Sequence, residues 1–117
     1  MDNIDRIKNS VIEIAVKHYR FKNTVIKAVS KLDFDEQNKY MSQFAWFSKK
    51  VTKAVEEAGL RIVSLEGHAY DPGMSVTPLN IDDFEVEDEL KIVQMIEPII
   101  MQEDTVLKTG TVLLGRI

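Results

Sequence analysis

The stretch EGHAYDPGM, Glu66 to Met74, sets a histidine, a tyrosine and two carboxylates around a glycine and an Asp-Pro pair. Three readings fit those residue types at that spacing: a metal site, an acid/base pair, or a turn with no chemistry. Metal coordination needs more ligands than the stretch supplies. The two histidines, His18 and His68, are far apart in the chain, and no His-x-x-x-His occurs. Zero cysteines remove thiolate ligands, thiol nucleophiles and disulfides together. No Gly-x-Ser-x-Gly elbow and no glycine-rich loop between a strand and a helix is present. The carboxylates have no sequence neighbours that would push one pKa away from another. No catalytic residue, cofactor site or metal ligand is therefore assigned, and the chain reads as a non-enzyme.

The densest chemistry is IDDFEVEDEL, which carries six carboxylates between Asp82 and Glu89. A calcium loop spaces its oxygens at alternate positions and turns on a glycine, and this run has neither feature. It reads as a solvated acidic loop, or as a docking strip for a basic partner. The charge is uneven overall. Residues 1–60 hold 11 Lys/Arg against 8 Asp/Glu, and residues 61–117 hold 4 against 11, for a net charge of -4. The basic cluster Lys49, Lys50, Lys53 is too small for a nucleic-acid face and fits a solvated helix surface. No apolar run approaches the ~18 residues of a membrane span. The opening MDNIDRIKNS lacks the basic-then-apolar layout of a secretion signal, so a cytoplasmic protein is expected.

The elements that position these residues follow from hydrophobic period. Ile4, Ile7, Val11, Ile14, His18, Phe21, Val25, Ala28 and Leu32 recur at 3–4 spacing. A period near 3.5 stays on one face when a helix supercoils against a partner. Asp2 is placed to cap this helix, and no Gly or Pro interrupts the chain before Gly59. Asp33 followed by Glu36 resembles a capping box. It predicts a second helix from about Asp35 to Ala58, ended by Gly59 in a left-handed conformation. The apolar positions of that helix are Tyr40, Met41, Phe44, Phe47, Val51, Ala54, Val55 and Ala58, with Trp46 off the stripe. His18 interrupts the first stripe as a register-setting polar group or a tolerated core histidine.

Two such helices form a hairpin that buries little of its own surface, so a homodimeric four-helix bundle is expected. Its interface would use Ile4, Ile7, Val11, Ile14, His18, Phe21, Val25, Phe44 and Val51. Beyond Gly59 the pattern changes to strands. LRIVSL alternates, LKIVQMI and DTVLKTGTVLLGRI are rich in β-branched residues, and Pro98 marks a strand edge or end. Thr109-Gly110 reads as the turn of a tight hairpin. The fold class is thus α+β: a helical dimerisation hairpin at 1–59, then a small, mostly antiparallel β domain at 60–117. An acidic insertion occupies about 73–90.

The joints of this layout resemble the GrpE family, the nucleotide exchange factors of DnaK-type chaperones. VEEAGLRIVSLEGHAYDPGM resembles the family's passage from its last helix through a glycine and a first strand to Asp-Pro. VQMIEP resembles its next strand, and VLKTGTVLLGR its closing hairpin, with Gly110 and Gly115-Arg116. The chain departs from the family in several places. Ser75 stands where a histidine is usual, and the acidic run is extra. The N-terminal helix is short, and the chain stops at Ile117 where the family's last strand runs on. The resemblance implies a dimer that binds the ATPase domain of a DnaK-type protein, opens its nucleotide cleft and speeds ADP release. Tyr70, Met74 and Arg116, with Asp82, Asp83 and Glu85 of the acidic loop, are the candidate contacts. Tyr70 and Met74 would alternatively pack inside the β domain, and Arg116 would neutralise a carboxylate. The alternative function is a non-catalytic assembly or scaffold subunit that keeps the fold without exchange.

Overall fold

The computed structural model describes residues 2–117, which form two compact units, one ending at Leu60 and the other spanning Arg61–Ile117. The helical unit contains α1 (Asn3–Val29) and α2 (Phe34–Glu57). Both helices start on aspartates: Asp2 accepts from the Asp5 N–H at 2.8 Å and Asp33 from the Glu36 N–H at 2.9 Å. The Gln37 side chain closes the turn between them by donating to Leu32 O (2.8 Å) and Ser30 O (3.3 Å). Gly59, at φ +83, ends α2. Leu60 N–H reaches Val55 O and Gly59 N–H reaches Glu56 O, which is the Schellman pairing. The apolar pair that accompanies it, Leu60 and Val55, is buried.

The β unit contains β1 (Arg61–Val63), β2 (Val76–Pro78), a 3-10 turn (Ile81–Asp83), β3 (Leu90–Glu97), β4 (Ile99–Gln102), β5 (Thr105–Lys108) and β6 (Gly110–Arg116). These strands make two three-stranded sheets, ordered β1-β4-β5 and β2-β6-β3. All pairings are antiparallel except β2 with β6. The core draws on both sheets: Ile92, Met95 and Val112 from one, Ile99 and Ile100 from the other.

The expected hairpin at Thr109-Gly110 does not form. β5 pairs with β4 and β6 pairs with β2 and β3, so Thr109 carries the chain from one sheet to the other. Pro98 does the same between β3 and β4, consistent with its missing ladder donor. The tight turn lies instead at Glu103-Asp104, where Gln102 pairs with Thr105 and Glu103 adopts φ +54. Gly110 sits in a tight space. A Cβ there would sit 2.6 Å from Met95 Cε, 3.0 Å from Glu97 O and 3.2 Å from Ile99 Cγ1.

The segment expected as an acidic loop is more structured than its composition suggests. It contains β2, and beyond β2 the Asn80 side chain continues the ladder. Its amide donates to Leu114 O and accepts from Leu114 N–H, both at 2.9 Å.

Candidate functional site: a cleft and an apolar helix face

EGHAYDPGM runs beside β3 and is tied to it by backbone. Gly67 N–H donates to Ile92 O, Ile92 N–H to His68 O, and Tyr70 N–H to Leu90 O. Glu66 Oε1 accepts the Met95 N–H at 2.9 Å, next to a register shift in β3. That carboxylate thus satisfies a strand donor at a bulge. Asp71 Oδ1 accepts from Gly73 N–H (3.0 Å), and Asp71 O from Met74 N–H (2.9 Å). This is the Asp-Pro-Gly turn that the sequence suggests. His68 is exposed. Among the described residues no group of three or more His, Asp or Glu is arranged to hold a metal ion.

The same segment forms one wall of an open cleft of about 700 Å³. Its apolar lining comes from Tyr70, Pro72, Phe84 and Leu90, and Ile81, Val86 and Ile117 extend it to the exposed edge. Val86 is fully exposed. Four carboxylates share the lining: Asp82, Glu85, Asp88 and Glu89. Arg116 holds Asp88 through Nη2 at 3.1 Å and Nε at 3.2 Å and lies over the Phe84 ring at 5.2 Å. The Glu85 N–H also donates to Asp88 Oδ2. That backbone bond first, and Arg116 second, hold the Asp88 carboxyl below its ordinary range despite some desolvation. Asp82, Glu85 and Glu89 make no ion pair among the described residues.

Of the predicted partner contacts, the structure brings Tyr70, Asp82 and Glu85 to the cleft. Asp83 is exposed in the 3-10 turn and does not line it. Met74 is half-buried, with its sulfur 3.3 Å from the Asp71 N–H. Arg116 neutralises a carboxylate of its own chain, the alternative role foreseen for it. The cleft also takes in Phe84, Val86, Glu89 and Leu90, which the sequence reading does not single out; their signal is the set of apolar residues threaded through the acidic run.

The predicted helix stripe divides in two. Val11, His18, Val25, Phe44 and Val51 are half-buried in the single chain, on the inward side of the hairpin. The inward face of α1 is rotated from the expected stripe and also uses Ile12, Ala15, Val16 and Tyr19. His18 Nε2 lies 3.0 Å from Ser48 Oγ, and its ring stacks on Phe44 and meets Phe47 edge-on, both at 5.6 Å. Burial first, then the Lys22 ammonium one turn on, lower its pKa from the ordinary 6.5.

Ile4, Ile7, Ile14 and Phe21 remain exposed on α1, as do Tyr40, Trp46 and Phe47 on α2. At about 100° per residue, Ile7-Ile14-Phe21 lag the inward face of α1 by roughly a quarter to a third of a turn. Tyr40 and Phe47 lag that of α2 similarly. In antiparallel helices equal lags put both ridges on one side of the hairpin, and the Phe47–His18 contact lies between them.

No described helix is long and apolar enough to cross a membrane. Comparison with known proteins finds no matching family model, curated protein or solved structure.

Proposed function

We propose that the chain is a non-enzymatic, GrpE-like co-chaperone of the cytoplasm. It dimerises through the hairpin and uses the β unit to bind a DnaK-type ATPase and promote ADP release. The observation that carries the reading is the paired exposed ridge, Ile7-Ile14-Phe21 beside Tyr40-Phe47. The inward faces of α1 and α2 are turned toward each other, so a second apolar face of this length calls for a second partner. A like hairpin supplies the matching surface by two-fold symmetry. The β unit is left to engage another protein through Tyr70, Asp82 and Glu85. Support for exchange comes from the order of elements and from the stretches that resemble the GrpE family. Gly59 ends α2 and Asp71-Pro72-Gly73 turns beside β3, whereas the stretch likened to the closing hairpin is split between two sheets and lends no support.

Exchange requires no bond making. A partner that binds the open nucleotide cleft better than the closed one shifts the population toward opening. Each tenfold preference corresponds to about 1.4 kcal/mol. The test is stopped-flow release of fluorescent ADP from a DnaK-type ATPase. A saturable rise in release rate is the expected result, and an unchanged rate at saturating protein refutes exchange. The scaffold reading is favoured by one observation: Arg116, a candidate contact, is already engaged by Asp88 and Phe84. A dimer that binds the ATPase without accelerating release would select it.

A further inference from the structure

The cleft of the β unit has a definite chemical character that neither dimerisation nor nucleotide exchange specifies. Its floor is aromatic and aliphatic: Tyr70, Phe84 and Leu90. Its lip is Val86, which has no cover from the chain, beside the exposed Ile117. At about 700 Å³ it falls within the usual ~300–1,000 Å³ range of ligand pockets. An apolar anchor seated there would cover the half-buried Tyr70 and Phe84 and the exposed Val86 together. The electrostatics then select which anchor-bearing segment is accepted. Asp88 is already neutralised by Arg116, while Asp82, Glu85 and Glu89 line the same cleft without cations. The surrounding residues 61–117 carry 11 acidic against 4 basic side chains, so the field reinforces the local charge.

We propose that this cleft is a docking site for a protein segment in which one large aliphatic or aromatic side chain is flanked by lysines or arginines. The anchor fills the space between Tyr70, Phe84 and Val86, and the flanking cations pair with Asp82, Glu85 and Glu89. Acidic or neutral segments with the same anchor are rejected because they leave those carboxylates unpaired or repelled. The proposal rests on the cleft alone and holds whether or not the chain exchanges nucleotide.

The test uses the full chain, labelled with nitrogen-15, and three synthetic peptides: Lys-Lys-Phe-Leu-Lys-Lys, Glu-Glu-Phe-Leu-Glu-Glu and Lys-Lys-Gly-Ser-Lys-Lys. The first is expected to shift the amide resonances of Ala69, Leu90 and Ile117 saturably, and to bind more weakly as salt rises. The other two should bind at least ~10-fold more weakly, since each lacks one half of the recognition. The variant carrying Asp82→Asn, Glu85→Gln and Glu89→Gln should lose about 10-fold in affinity for the first peptide. Val86→Ser, at a fully exposed position, should keep the fold and weaken binding severalfold. Equal binding of the basic and acidic peptides would overturn the proposal. So would shifts confined to residues outside the cleft. Self-association abolished by the triple variant would assign the cleft to a second copy instead, and would also overturn it. None of these readouts involves ADP, so their failure is distinct from failure of the exchange reading.

Discussion

Replacing Ile14 with aspartate tests the proposed dimer at a position that the hairpin itself does not need. Ile14 is 61% exposed in the single chain, so a charge there remains in water and α1 should keep its packing on α2. Fully burying an isoleucine is worth about 1.5–3 kcal/mol. With well over half of the side chain still to be buried, a partner covering it gains about 1.5 kcal/mol, and two-fold symmetry doubles this to about 3 kcal/mol per dimer. That corresponds to roughly a 100-fold rise in the dimer dissociation constant, and desolvating two aspartates adds to it. Val11→Asp is a less clean probe, because Val11 is half-buried between the helices and its loss would also damage the hairpin. Sedimentation equilibrium of wild type and Ile14→Asp across micromolar concentrations, with helical circular dichroism in parallel, checks the reasoning. The expected outcome is a dimer converted to a monomer of unchanged helicity. A wild type that is monomeric at high micromolar concentration refutes the proposed dimer. An Ile14→Asp variant that stays dimeric, or that loses helicity, refutes the assignment of this ridge.

Three further outcomes are expected. Because the fold lowers the pKa of His18, its neutral form is preferred in the native state. The stability it contributes is fully present above the ordinary 6.5 and is lost as pH falls through the lowered value. Urea midpoints of wild type should therefore drop between pH 7 and 5 by more than those of His18→Gln, and an identical decline in both contradicts this. Gly110→Ala should cost about 2 kcal/mol by overpacking against Met95 and Glu97 O. Adding Met95→Leu removes the atom nearest the new methyl and should recover about 1 kcal/mol in a double-mutant cycle. Glu103→Gly relieves a non-glycine residue at φ +54 and should raise the unfolding free energy by about 1 kcal/mol, read as a higher urea midpoint.

Legibility followed the range of the interaction. The helix ends were readable because capping is local: Asp2, Asp33 and Gly59 all act within a turn of themselves. The strand of LRIVSL was readable from its alternation, and those of LKIVQMI and TVLLGR from β-branched content. Their pairing was not. Thr109-Gly110 has the chemistry of a hairpin turn, but Gly110 is there because Met95, Glu97 and Ile99 crowd it, and that crowding is a long-range fact. The true turn at Glu103-Asp104 carries no glycine or asparagine to announce it. β2 was hidden in an acidic segment because its ladder is completed partly by the Asn80 side chain. On α1, apolar residues cover about two-thirds of the circumference. A 3.5-residue period therefore picks out a stripe without saying which part of it faces α2.

The strand order also imposes a sequence of events on folding. β1 closes only against β4, pairing Arg61 with Met101 and Val63 with Ile99. β2 and β3 are both held by β6, with Val76 beside Gly110 and Leu90 beside Arg116. Neither sheet is complete until distant segments arrive, so loop-closure entropy delays the β unit. The hairpin, by contrast, joins α1 to α2 across one short turn and waits for nothing downstream. A nascent or partly unfolded chain thus presents formed helices and open strand edges together.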